Sequence, residues 1–355
     1  MIYAYGITQQ GTYHVKNNVV CQDAHNIIKC GDFMVVAAVA DGLGSEEHSD
    51  VASKIAANSS TNYCVEKISE DTPDEAILSI LHDAFSLAQN EIESEVKKNN
   101  HELDQYDTTL SLAILKNGTL FYGHSGDSGI VALTEDGLYE KVTEQQRDSY
   151  GRVFPLYFGE KKWVFGKYEK AVASVLLATD GMFETLFPYL IQNEPVNVYV
   201  ALARYFMDIQ ILGIAELGEA VVQDKMSEFV DSISDDQVND DKTVVVIASD
   251  AVVPKGQPES YYAEPDWKEL KKKRDEEWRR AAYPHLYKEK DDAGQKDQAS
   301  SSCFNEGEVS TSSDDQNDDT TIVGQKEKAD KESKKGLKQF FSRRDKKETD
   351  SKKEG

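Results

Sequence analysis

The pattern of apolar and polar positions changes character near residue 254. Before that point, short apolar runs alternate with helix-spaced stretches. "IYAYGIT" (2–8) and "FMVVAAVA" (33–40) read as strands. The second is apolar at successive positions, which predicts burial on both faces. Residues 49 to about 69 and 74 to 98 carry apolar residues at helical spacing, among them Ala76, Ile77, Ile80, Leu81, Ala84, Phe85, Leu87 and Ala88. Thr72 is expected to cap the second helix, with Pro73 in its first turn.

Hairpin signals follow. "TLSLAIL" and "TLFYGHS" flank Asn117-Gly118, and "GIVAL" and "LYEKV" flank Asp136-Gly137. Such pairs favour tight turns with positive φ, so an antiparallel meander is predicted. "SVLLATDG" is a further buried strand, residues 181–233 look mostly helical, and "KTVVVIAS" reads as a closing strand. Long helices beside antiparallel strands point to a layered α+β fold. Beyond Pro254 one charged helix is expected within 255–290, anchored by Trp267, Leu270 and Trp278. The stretch from Glu289 to Thr320 is acidic, Ser-rich and poor in apolar residues, a composition that predicts disorder. The final thirty residues are basic, with Leu337, Phe340 and Phe341 embedded in them. The domain reading is therefore 1–254 globular, 255–290 a charged extension, and 291–355 a largely disordered tail, acidic then basic.

Charge sharpens this division. Residues 1–254 hold 17 Lys and Arg against 40 Asp and Glu, while 255–355 hold 23 against 24, so nearly all of the net −24 lies in the globular part. Such a field repels phosphate backbones and excludes nucleic acid as its partner, whereas metal cations suit it. Four cysteines without close pairing or metal-ligand spacing fit a reduced compartment. No leader and no apolar run of about 18 residues is present. The expectation is a cytoplasmic protein without a transmembrane segment.

One device recurs among the strands. "FMVVAAVADG" ends on Asp41-Gly42 and "SVLLATDG" on Asp180-Gly181; Asp240 and Asp241 stand just before "KTVVVIAS"; Asp23 stands at a strand in "CQDAHNII"; Asp127 lies between strands in "HSGDSGIV". A carboxylate at a buried strand end is costly to ionise unless paired or metal-bound. With few nearby Lys or Arg, the set points to a shared cation site, and all-oxygen donors favour Mg²⁺ or Mn²⁺.

The ordered set "CQDA … VADGLGS … DTTLSLAI … GDSG … LLATDGMFE … DDKTVVVI" resembles the metal-dependent protein phosphatase 2C family, particularly its bacterial branch. The likeness spans about residues 1–250. It implies a four-layer αββα sandwich, two antiparallel sheets flanked by helix pairs. It implies hydrolysis of phosphoserine and phosphothreonine in proteins by a water bridging two Mn²⁺ or Mg²⁺ ions, with a third, weaker ion beside them. By this resemblance Asp41 and Asp23 are the catalytic residues. Asp41 bridges the two metals, the Gly42 carbonyl is a further ligand, and Asp23 reaches the metals largely through water. Asp180 matches the second "DG" ligand. Asp240 matches the Asp of a "DN" motif, with Asp241 where Asn is usual. Asp127 partners Asp180 for the third ion, and Thr108 and Thr109 pack beneath.

Two departures stand out. Where many members carry an Arg that clamps the substrate phosphate, this chain has His14, the candidate phosphate-binding residue. Where the eukaryotic type has a His after the "DG", a proposed general acid, this chain has Leu43. Leaving-group protonation then falls to metal-bound water or another residue, His48 being one candidate. Arg147, Arg152, Lys161 and Lys162 form a local basic spot around a flap-like stretch, 153–166, suited either to a phosphorylated substrate or to solvent.

The implied partners are phosphorylated proteins, a cognate Ser/Thr kinase, and a phosphothreonine-binding protein that would read Thr320 and Thr321 in the acidic tail. The alternative to catalysis is a phosphatase-like sensing or scaffolding module in a kinase signalling pathway.

Overall fold

A computed structural model describes residues 1–287. The expectations for 291–355, including those on Thr320, Thr321, Leu337, Phe340 and Phe341, lie outside the described residues. The described chain forms two compact units, residues 1–264 and the part from Pro265 on.

The strands are β1 (Ile2–Gln9), β2 (Asp23–Cys30), β3 (Met34–Asp41), β4 (Leu110–Lys116), β5 (Thr119–Ser125), β6 (Gly129–Thr134), β7 (Tyr139–Lys141), β8 (Val164–Lys167), β9 (Val172–Ala178) and β10 (Lys242–Ser249). The helices of the first unit are α1 (Thr12–Asn17), α2 (Ser49–Lys67), α3 (Asp74–Asn99), α4 (Asp180–Leu186), α5 (Val200–Met207), α6 (Ile209–Leu212), α7 (Ile214–Leu217), α8 (Glu219–Asp231) and α9 (Glu259–Tyr262). The second unit holds α10 (Trp267–Ala282).

Two five-stranded antiparallel sheets result, ordered β1-β10-β9-β6-β7 and β2-β3-β4-β5-β8. Strand β3 shows why they stack. Every residue from Met34 to Ala40 is fully buried, and odd and even positions serve different layers. Val35, Ala37 and Val39 join Ala113, Leu115, Ile130, Val175, Val245 and Ile247 between the sheets. Met34, Val36, Ala38 and Ala40 face α2 and α3. The period-2 geometry of a strand makes this two-sided burial possible, and each larger aliphatic among them contributes roughly 1.5–3 kcal/mol. On the outer face of the other sheet, the Tyr5 hydroxyl donates to the Phe206 carbonyl and Gln9 Nε2 to that of Ser227, tying β1 to α5 and α8.

Helix α2 buries Ala52, Ser53, Ala56, Ala57, Ser59 and Ser60, a face of small side chains. Helix α3 buries Ile77, Leu81, Ala84, Phe85, Ala88, Ile92 and Val96, with acidic residues in its first turn and Lys97 and Lys98 in its last, matching its dipole. The cap is Pro73 rather than Thr72. The Thr72 hydroxyl instead accepts from Ser69 N–H, because it is turned back into the preceding loop. The turn between β4 and β5 has positive φ at Asn117 and Gly118, as the Asn-Gly pair predicts.

After β10 the chain stays on the first unit to residue 264. Lys255 N–H donates to the Glu135 carbonyl, and Tyr199 donates to Glu264. In the second unit α10 forms as expected, but Trp278 is exposed rather than an anchor, its ring meeting Tyr283, and the buried side chain is Arg274. No helix among the described residues is long and apolar enough to cross a membrane.

Candidate metal centre

Antiparallel order places the ends of β1, β3, β5 and β9 beside the starts of β2, β4, β6 and β10, in both sheets. The acidic residues read from the sequence all fall at this end. Asp23 opens β2 directly across from Asp41, which closes β3. Asp127 lies in the turn from β5 to β6, Asp180 opens α4 straight after β9, and Asp240 and Asp241 precede β10. The carboxylate oxygens of Asp41, Asp127 and Asp180 all come within 4.8 Å of one another.

The backbone supports this convergence. Asp41 N–H donates to Thr109 Oγ1 at 3.0 Å, and the Asp41 carbonyl accepts from Thr108 Oγ1 and Thr109 N–H. Gly42 pairs with Thr108 and donates its N–H to the Gln22 carbonyl at 3.1 Å. A Cβ at Gly42 would lie 2.6 Å from the Ser49 carbonyl oxygen and 2.8 Å from that of Gln22. The glycine is therefore required by the close passage of two backbone segments. Thr179 Oγ1 donates to Asp23 Oδ2 at 2.7 Å. This contact escaped the sequence reading; a buried hydroxyl at a strand end, beside "DG", was its only signal.

The crowding perturbs Asp23, Asp41, Asp127 and Asp180. Burial holds Asp23 well above the usual carboxylate range, Thr179 opposing the shift and Asp241 adding to it. Burial, then Asp180, Asp23, Asp127 and Asp240, raise Asp41 likewise. Asp180 is pushed up to about 7 by burial, then by Asp127 and Asp240. Asp127 is raised by burial, with Arg147 counteracting. Carboxyls held this way prefer to share a proton or a cation. An all-oxygen set whose own charges are poorly compensated suits a hard divalent ion, so the residues present fit the metal that the family resemblance implies.

His14 and Asp241, the residue standing where Asn is usual, meet each other. His14 is buried, its Nδ1 2.8 Å from Asp241 Oδ1 and its Nε2 3.7 Å from Asp240 Oδ1. Asp241 is buried and accepts from Gly11 N–H at 2.7 Å through Oδ1 and from Gln22 N–H at 2.6 Å through Oδ2. His14, Asp240 and Asp241 are a second group close enough to converge on one ion. Leu43 is half-buried, its N–H bonded to the Asp107 carbonyl. His48 stacks on His101 with ring centroids 4.2 Å apart and lies 5.0 Å from the Tyr106 ring.

The basic spot is split. Arg147 turns inward onto Asp127, Asp180 and Glu184. Arg152 pairs with Asp148, and Lys162 sits over the Phe154 ring. Trp163 buries against Phe85 and donates to the Leu156 carbonyl, which fixes the flap-like stretch on α3. Cys21, Cys30 and Cys64 are free thiols.

The sequence profile of protein phosphatase 2C matches residues 10–230. Among solved structures, that of a bacterial serine phosphatase is 13% identical, covers 72% of this chain and 100% of its own, and has a TM-score of 0.50. A form of a bacterial serine phosphatase bearing an arginine-to-lysine mutation is 14% identical over the same shares, with a TM-score of 0.51. A serine/threonine phosphatase from Staphylococcus aureus is 14% identical, covering 70% of this chain and 95% of its own, with a TM-score of 0.48. No curated protein matches the sequence. At these identities the structural likeness carries the fold.

Proposed function

The chain belongs to the protein phosphatase 2C family and is by that membership a protein-serine/threonine phosphatase, and we propose that it works with two Mg²⁺ or Mn²⁺ ions. The observation that carries this reading is the convergence of Asp41, Asp127 and Asp180 within 4.8 Å, with their carboxyls pushed upward by burial and by one another. In this reading Asp41, the Gly42 carbonyl, Asp180 and Asp240 hold the ions, and Asp23 stands behind Asp41 across the β2–β3 ladder. When bound, such a pair would supply Lewis-acid chemistry, activating water and the phosphate ester near neutral pH.

The chain's own residues orient this chemistry. Thr108 and Thr109 fix the Asp41 backbone at the strand end, and Thr179 fixes Asp23. Leu43 offers no proton to the leaving group. We assign His14 to steadying Asp241 rather than to gripping phosphate, because its ring is buried against two carboxylates that repel an anion.

The test is hydrolysis of a phosphothreonine peptide by the full chain with Mn²⁺. A metal pair supplies several kcal/mol of transition-state stabilisation, so Asp41→Ala and Asp180→Ala are expected to lose roughly a hundredfold or more in rate. Undiminished turnover in both variants refutes the reading. Binding of Mn²⁺ without any turnover in the wild type would favour the scaffolding alternative.

A further inference from the structure

Arg147 is placed by its backbone, not merely drawn in by charge. Gln146 N–H donates to the Gly126 carbonyl at 2.8 Å, and Gly126 N–H donates to Gln146 Oε1 at 3.2 Å. Gln145 Nε2 donates to the Asp127 carbonyl at 2.8 Å. Three hydrogen bonds therefore clip residues 145 and 146 to the turn that carries Asp127. On the other side Arg147 pairs with Val153, closing a small loop.

From this anchor the guanidinium reaches the acidic corner. Nε donates to Asp127 Oδ2 at 2.9 Å and Nη2 lies 2.8 Å from the same oxygen. Nη2 also lies 3.4 Å from Asp180 Oδ2 and 3.0 Å from Glu184 Oε1. Asp180 and Glu184 are one turn apart on α4, so one guanidinium bridges the helix and the β5–β6 turn. The Asp127 side chain is almost wholly buried, so water does not screen this pair strongly.

A third divalent ion shared by Asp127 and Asp180, which the family resemblance implies, would have to compete with Arg147, which already holds Oδ2 of both carboxylates. Arg keeps its charge at every working pH and has no acceptor atom, so it cannot act as a ligand or step aside by deprotonation. We infer that the Arg147 guanidinium is the resident cation of the Asp127–Asp180 corner and keeps a third metal ion out of it, so that this chain holds two ions. The inference rests on the two-ion reading above, in which Asp127 holds neither ion, and adds to it that Asp127 binds arginine instead of a third. Asp127 and Arg147 then position Asp180.

Metal counting tests it without reference to turnover. The full chain is dialysed to equilibrium against Mn²⁺, and bound metal is measured by elemental analysis for wild type, Arg147→Ala, and Arg147→Ala combined with Asp127→Asn. The expected counts are two, three and two ions per chain. Asp127→Asn in the wild-type background leaves the count at two, which keeps the test alive if Arg147→Ala fails to fold. Three ions in the wild type, falling to two in Asp127→Asn, overturn the inference, as does a folded Arg147→Ala that still holds two. No bound Mn²⁺ in any form removes the two-ion reading itself, and the inference with it.

Discussion

Restoring Asn at position 241, the residue usual in the family at that place, is expected to destabilise this chain. Asp241 uses both oxygens on backbone donors, Oδ1 on Gly11 N–H and Oδ2 on Gln22 N–H, inside a site where it is 3% exposed. Asn has one oxygen. Whichever way its amide turns, one buried N–H faces an NH₂ group and loses its partner, costing about 1–3 kcal/mol. The surviving bond also falls from charge-assisted to neutral, costing about 1 kcal/mol more. Against this, Asn removes a charge that repels Asp23. Burial, rather than the Asp241 charge, is the main cause of the upward shift at Asp23, so the relief is the smaller effect. The balance is a loss of about 2–3 kcal/mol, or roughly 5–10 °C in Tm for a unit of this size. Thermal melts followed by far-UV circular dichroism in EDTA read it directly. An Asp241→Asn protein that melts at or above the wild type refutes the reasoning, because it would mean that charge relief outweighs the two backbone hydrogen bonds.

Two further outcomes are expected. Gly42→Ala forces a Cβ against the Ser49 and Gln22 backbones, and overpacking of this kind costs about 1–3 kcal/mol; urea denaturation should show the lower midpoint, together with weaker Mn²⁺ binding, and an unchanged midpoint counts against the close passage. His124 is pushed down to about 4 by burial, its ring held between the Ser111 hydroxyl and the Glu144 carbonyl. The unfolded chain therefore takes up a proton on this residue that the folded chain refuses as pH falls from about 6.5 towards 4, so the stability contributed by His124 is lost through that window, by about 3 kcal/mol, while the raised carboxyls of Asp180, Asp41 and Asp23 act in the opposite direction. The difference in denaturation midpoint between wild type and His124→Gln, followed from pH 7 to pH 4, isolates this contribution and should move against the wild type as pH falls; a difference that does not change with pH is the contrary result.

Much of this molecule was legible from local pattern. The buried strand at 33–40, the helices at 49–69 and 74–98 and the Asn117-Gly118 turn follow from period, length and turn chemistry, which act over a few residues. The carboxylates at strand ends were also legible, since a buried, unpaired acid is costly wherever the chain takes it. Less visible was the α3 cap, where Thr72 lost to Pro73 because its hydroxyl served the loop behind it. The role of Gly42 was visible only in part. The resemblance marked its carbonyl as a ligand, but the neighbours that require its missing side chain, Ser49 and Gln22, come from other segments.

Sequence alone therefore determined the elements and the acidic character of the site, because propensity, periodicity and desolvation cost are local properties. Tertiary structure decided which charges meet. His14 faces Asp241 although nearly the whole first unit separates them in the chain, and Arg147 closes on Asp127 from twenty residues away. Those pairings depend on how α1 and the 145–147 segment are held against the strand ends, and that path is set by hydrogen bonds between distant backbones. A charge pattern read along the chain counts Arg147 with its neighbours Arg152, Lys161 and Lys162; the fold turns it onto Asp127, whose burial strengthens the pairing.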